Sequence, residues 1–186
     1  MAVPPIFVSG QVLTAAQMNK VGMWTVIAKT SFSAVSNFGA ANVFTSDYDD
    51  YLLVVRATTS STTSGGFQLT ISSTPASTLY SRQVFSADNT TLSGSRSTAQ
   101  ANLLGIPQAT NGSYAGLNMM YISKPALATP TLFKISTAFS QGDFLSIRIV
   151  DIAGMHETAT AYDGWSINMA VGTTTGDYTL YGLNKQ

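Results

Sequence analysis

Residues 43–59, VFTSDYDDYLLVVRATT, constrain the fold of this chain more than any other stretch. Tyr51, Leu53, Val55 and Ala57 alternate with Leu52, Val54, Arg56 and Thr58. A strand turns successive side chains to opposite faces, so this pattern places large apolar groups on both sides of a sheet. That is the signature of an inner strand, with Arg56 near one rim. Asp47, Asp49 and Asp50 gather just before it or at its start. Asp side chains there can accept backbone N–H bonds and close the preceding turn.

The rest of the chain repeats the strand period. Residues 23–32 (MWTVIAKTSF) predict a first strand with Trp24, Val26 and Ala28 on one face, and Trp24 and Phe38 are expected in the core. Residues 67–73 (FQLTISS) place Phe67, Leu69 and Ile71 inward and Gln68 and Thr70 outward, and should form a hairpin with the 50–59 strand across a polar loop. Further strands are expected at 79–87, 99–106, 113–122, 132–139, 143–150, 165–171 and 178–183, with Asn111-Gly112 as a tight turn. Residues 86–99 and 151–164 read as loops. In the 132–139 strand, Phe133, Ile135, Thr137 and Phe139 are the expected core face. Nine or ten strands without alternating long helices imply an all-β antiparallel sandwich.

One short segment breaks the period. Thr14 to Gly22 (TAAQMNKVG) predicts a helix: Thr14 is a capping residue, Gln17 completes a capping box, and Leu13 can staple onto Met18. Such a helix spans about two turns and needs a surface to dock on. Ahead of it, Pro4 and Pro5 favour an extended chain, and Ile6, Phe7 and Val8 form an apolar run that needs covering.

Composition narrows the function. Charged residues make up 10% of the chain, with nine basic and nine acidic groups, against about 25% in an average soluble protein. A surface so poor in charge resists association weakly, which favours a subunit with faces buried in an assembly. Cysteine is absent, so disulfides and thiolate metal sites are excluded. No secretory leader pattern is present, and no apolar run is long enough for a membrane-spanning helix, so membrane insertion is not expected. No basic cluster offers the charge that nucleic-acid binding needs. No cofactor is implied.

Catalytic chemistry finds little support. His156-Glu157 pairs the only His with the only Glu, but no nucleophile elbow and no second His accompany them. A loop contact fits them better. Asp47, Asp49 and Asp50 suit a capped turn, a calcium site or an intersubunit contact, and lack the spacing of an EF-hand. Asp143 and Asp163 read as turn residues at strand starts. Tyr48, Tyr80, Tyr114 and Tyr162 could stack on sugars, and also suit half-buried positions in a sheet.

The stretch PPIFVSGQVLTAAQMNKVG resembles the N-terminal arm of small tail-fibre-like and minor virion structural proteins of tailed bacteriophages. The matching residues are Phe7, Gly10, Leu13, Thr14, Ala15, Ala16, Met18 and Asn19. Tyr48, Asp49 and Tyr51 match a Tyr-Asp-x-Tyr step before a strand in such proteins, and Tyr181, Gly182 and Leu183 match their C-terminal end. The resemblance implies a virion-located, non-enzymatic structural subunit, homotrimeric, that contacts other virion proteins through its arm. Pro5, Phe7, Leu13, Thr14, Met18 and Asn19 are then the expected attachment or subunit-contact residues. A tail-fibre-like or minor tail subunit is the leading reading. A capsid decoration (cement) protein, a head fibre and a carbohydrate-binding module for a host-surface glycan are the alternatives. By the same analogy the sandwich is expected to be a jelly roll, with residues 1–22 as arm and short helix and residues 23–186 as the β domain.

Overall fold

The computed structural model describes residues 23–60, 64–88, 90–108, 115–140 and 147–184. Among the described residues thirteen strands run in order: β1 (Trp24–Val35), β2 (Asn37–Ala40), β3 (Tyr48–Thr59), β4 (Ser64–Ile71), β5 (Thr74–Pro75), β6 (Tyr80–Asp88), β7 (Thr91–Gln100), β8 (Leu103–Gln108), β9 (Gly116–Ser123), β10 (Thr131–Ser140), β11 (Ile147–His156), β12 (Gly164–Met169) and β13 (Thr174–Asn184). Every pairing is antiparallel. One sheet has eight strands in the order β1-β13-β3-β9-β10-β11-β6-β7, and the other has the order β2-β12-β4-β5 with β8 also on β4.

The chain passes repeatedly from one sheet to the other. β1, β3, β9 and β13 lie in the large sheet as β1-β13-β3-β9, and β2, β4, β8 and β12 lie in the small one around β4 and β12. The remaining strands of the large sheet, β10, β11, β6 and β7, extend it on one side. The core lies between the sheets. Tyr51, Leu53 and Val55 of β3 are buried with Met120 and Ile122 of β9, Phe133 and Ile135 of β10, and Phe67 and Leu69 of β4. Trp165 of β12 makes an edge contact with Tyr178 of β13 at 4.9 Å and stacks on Phe67 at 6.2 Å. Burial of these side chains is the main stabilising term, worth about 1.5–3 kcal/mol for each large apolar group.

Several expectations need correction. The fold class was expected to include a short helix after the arm. What the structure shows is an all-β, two-sheet antiparallel fold with no helix among the described residues. The arm and the 14–22 helix lie outside the described residues. A capping pattern two turns long carries little weight by itself, because nucleation is costly and few hydrogen bonds follow it. β3 and β4 do not form a hairpin: β3 pairs with β13 and β9, and β4 with β12, β5 and β8. Each strand buries a face against the opposite sheet, so the link between them crosses the sandwich instead of folding back in one sheet.

The expected loop 86–99 is largely strand, and the expected loop 151–164 is strand over its first part while 157–163 connects β11 to β12 without strand. Residues 91–100 form β7, and β11 continues to His156. On β6 the inward side carries buried Tyr80 and Ser86 with Val84 packed on the core, while Phe85, and Leu79 just before the strand, are exposed. Leu79 has φ 63°, a left-handed conformation that turns the chain just before β6 starts. On β4, Gln68 and Thr70 are buried as well as Phe67 and Leu69. The Gln68 side chain donates to the Ala101 carbonyl at 3.0 Å and accepts from Asn168 at 3.1 Å, which offsets the loss of hydration.

Candidate interaction surface

The outer face of the large sheet follows from strand register. Residues directly paired across strands share a face, so the pairings trace rows across the sheet. One row runs Val26, Tyr181, Leu52, Tyr121, Lys134 and Ala153. A second runs Val54, Met119, Ser136, Asp151 and Phe85. A third runs Asp177, Arg56, Leu117, Ala138, Ile149, Ala87 and Leu92. Val26, Leu117, Tyr121, Ile149, Phe85 and Leu92 are all exposed, with Leu92 at 66% and Phe85 at 51%.

This face carries few charges, and those in its centre are paired. The Arg56 guanidinium donates from Nε and Nη2 to Asp177 Oδ1 at 3.1 and 2.7 Å. Lys134 Nζ lies 3.1 Å from Asp151 Oδ1. Both pairs join neighbouring strands, so each neutralises its own patch of sheet. Isolated exposed apolar residues are ordinary, but their recurrence along rows of an eight-stranded sheet makes this face the candidate interaction surface.

Near the start of β1 the same face is hollowed. A groove of about 390 Å³ is lined by Trp24 and Leu183 on one wall, Leu132 and Lys134 on the other, and Asp50, Tyr121 and Ser123 among its floor residues. The Trp24 and Tyr121 rings lie 6.4 Å apart and tilted by 55°. Trp24 was expected in the core. It is half-buried and faces this groove: the bulge at Ile27 leaves Trp24 and Val26 on the outer face and turns Ala28 toward the core. Tyr121 and Leu132 were not among the sequence candidates. The expected core face of the 132–139 strand already turned Leu132 outward, whereas for the 116–123 strand the parity of Tyr121 was readable but not which face it lay on.

The turn before β3, which holds Asp47, is organised by a core residue, while Asp49 and Asp50 lie within β3. Tyr51 Oη donates to the Thr45 carbonyl at 3.0 Å and accepts the Thr45 amide at 2.8 Å. The Asp47 amide donates to Thr45 Oγ1 at 3.3 Å. Burial pushes the Tyr51 hydroxyl pKa up, partly offset by these bonds to Thr45, so it stays protonated. Among the described residues no three His or acidic side chains converge as metal ligands. Asp163 acts as a turn residue just before β12: its carboxylate accepts the Ser72 amide at 2.8 Å, and its carbonyl accepts the amides of Val43 and Phe44. Asp143 lies outside the described residues.

His156 and Glu157 do not form an acid–base dyad. His156 is buried at the end of β11, its ring 4.4 Å from Tyr80 and 5.3 Å from Tyr162. Its Nδ1 is 3.2 Å from Tyr162 Oη. Glu157 instead receives a short hydrogen bond from the Ser81 hydroxyl. Burial lowers the His156 pKa, partly offset by backbone bonds at Thr78 and Thr158 and by the charge of Glu157. Of the tyrosines weighed for sugar stacking, Tyr80 and Tyr162 are buried, and Tyr48 is half-buried with its ring 5.9 Å from Tyr51. Tyr114 lies outside the described residues, as do Pro5, Phe7, Leu13, Thr14, Met18 and Asn19.

In comparisons with known proteins, no family model and no curated protein sequence matches the chain.

Proposed function

We propose that the protein is a non-enzymatic structural subunit of a tailed-bacteriophage virion, tail-fibre-like or minor tail, homotrimeric and attached through its N-terminal arm. The observation that carries the structural half of this reading is the outer face of the large sheet, apolar along its rows and with Arg56 and Lys134 each held by an acid. A subunit can bury the centre of such a face against neighbours with both of its ion pairs kept. The arm signature, with Phe7, Leu13, Thr14 and Asn19 in order, supplies the viral half.

Immunogold labelling of particles from a phage that encodes this chain tests the reading. Antibodies raised against the β domain should label the tail. Labelling of the capsid would replace the tail subunit with a decoration protein or head fibre, and unlabelled particles would remove the virion reading altogether. Replacing Phe7 or Leu13 should lower incorporation into particles while leaving the thermal stability of the β domain unchanged. Normal loading of both variants would refute the role given to the arm.

A further inference from the structure

We infer that the groove beside Trp24 is the seat of the chain's own N-terminal arm, with residues 4–8 (PPIFV) as the occupant. This inference concerns the free chain, before Pro5 and Phe7 meet any virion partner, and so does not depend on the virion reading. It starts from where the described chain begins: Met23 is exposed, and its carbonyl accepts the Asn184 amide at 3.1 Å, which fixes that point against the end of β13. The next residue, Trp24, already lines the groove. Fourteen residues, 9–22, join Val8 to Met23. They can span at most about 50 Å, and the groove lies at their anchored end.

The chemistry of the two parts agrees. Trp24 and Tyr121 present tilted aromatic rings, and Leu132 and Leu183 add apolar walls. Aromatic-lined grooves take proline-rich segments because the extended chain is preformed and its rings lie flat on aromatic faces. Pro4-Pro5 supplies that element, and Ile6, Phe7 and Val8 supply apolar area without any charge to desolvate. Lys134, at the rim, is occupied by Asp151. The tether decides between this arm and that of another copy. A segment joined to the domain by only fourteen residues has a local concentration in the millimolar range, above that of any free second copy in dilute solution.

The absence of cysteine makes the test direct. In the full chain, Ser9→Cys is combined with Lys134→Cys at the groove rim, or with Arg96→Cys on the distant strand β7, and disulfide formation is followed at low protein concentration. Seating predicts an intrachain crosslink to position 134 that forms about tenfold or more faster than the one to position 96. Adding Phe7→Ser should remove that advantage. Equal rates to the two positions would show an unseated arm and overturn the inference. Interchain crosslinking to position 134 would assign the groove to a second copy and overturn it as well. Acrylamide quenching gives an independent reading, since Trp165 is 1% exposed and the quencher reports mainly on Trp24. Phe7→Ser should raise quenching of the full chain, and an unchanged quenching constant would count against seating.

Discussion

Leu53→Ala is the most informative perturbation of the body. Leu53 has no exposed surface and lies in β3 directly between Leu180 of β13 and Met120 of β9, both also fully buried. The substitution removes three carbons, about 2.4 kcal/mol at roughly 0.8 kcal/mol each. Both flanking strands are held by antiparallel ladders, so the site cannot collapse freely and a cavity term adds to the loss. A total of about 3–4 kcal/mol follows, within the range of about 2–5 for buried leucines. For a chain of this size that lowers the melting temperature by about 6–16 °C. Leu52→Ala is the control, because Leu52 is half-buried on the outer face. Thermal unfolding followed by circular dichroism at matched, low protein concentration compares them. A Leu53→Ala shift of under about 2 °C, or an equal loss for Leu52→Ala, would refute the assignment of faces in β3.

Other predictions follow from single contacts. His156 has a lowered pKa when folded, so the unfolded chain binds the proton more readily; stability should be complete above about pH 6.5 and fall as the pH drops below it toward the folded value. His156→Phe should flatten that part of a stability–pH profile, and an unchanged slope would exclude His156 as its source. At Gly176 a Cβ would lie 2.0 Å from the Arg56 carbonyl oxygen, so Gly176→Ala should destabilise by about 1–3 kcal/mol in urea unfolding. Arg56→Met should cost under about 1 kcal/mol despite the two bonds to Asp177, because the pair is largely open to solvent.

The parts of the fold that could be read from the sequence are those where one face is buried and the alternation is clean. β10 is of this kind, with Phe133, Ile135 and Thr137 buried and Phe139 half-buried; in β3, apolar on both faces in the sequence, Leu53 and Val55 are buried and Leu52 and Val54 half-buried. β7 was invisible because none of its residues is buried. It forms as the hydrogen-bonded partner of β6, from Asp88↔Thr91 onward, and such pairing leaves no hydrophobic period. The far half of β11 was obscured by Asp151, Gly154 and His156, which read as loop residues until the register shows Asp151 beside Lys134 and His156 in a tyrosine-lined site. The partition of strands between two sheets depends on contacts far apart in sequence, such as β1 with β13, and local patterns carry no record of it. The outer surface was half legible. A weakly charged composition pointed to buried faces, but only register could gather Phe85, Leu92, Leu117 and Ile149 on one side.

Under the proposed function, neighbouring subunits cover that face. The mass of the full chain in solution, measured by light scattering across a dilution series, tests this most directly. The prediction is a particle three times the mass of one chain, which dissociates when Phe85→Ser and Ile149→Ser are combined while each chain stays folded. A folded monomer at every concentration of the unaltered chain would contradict it.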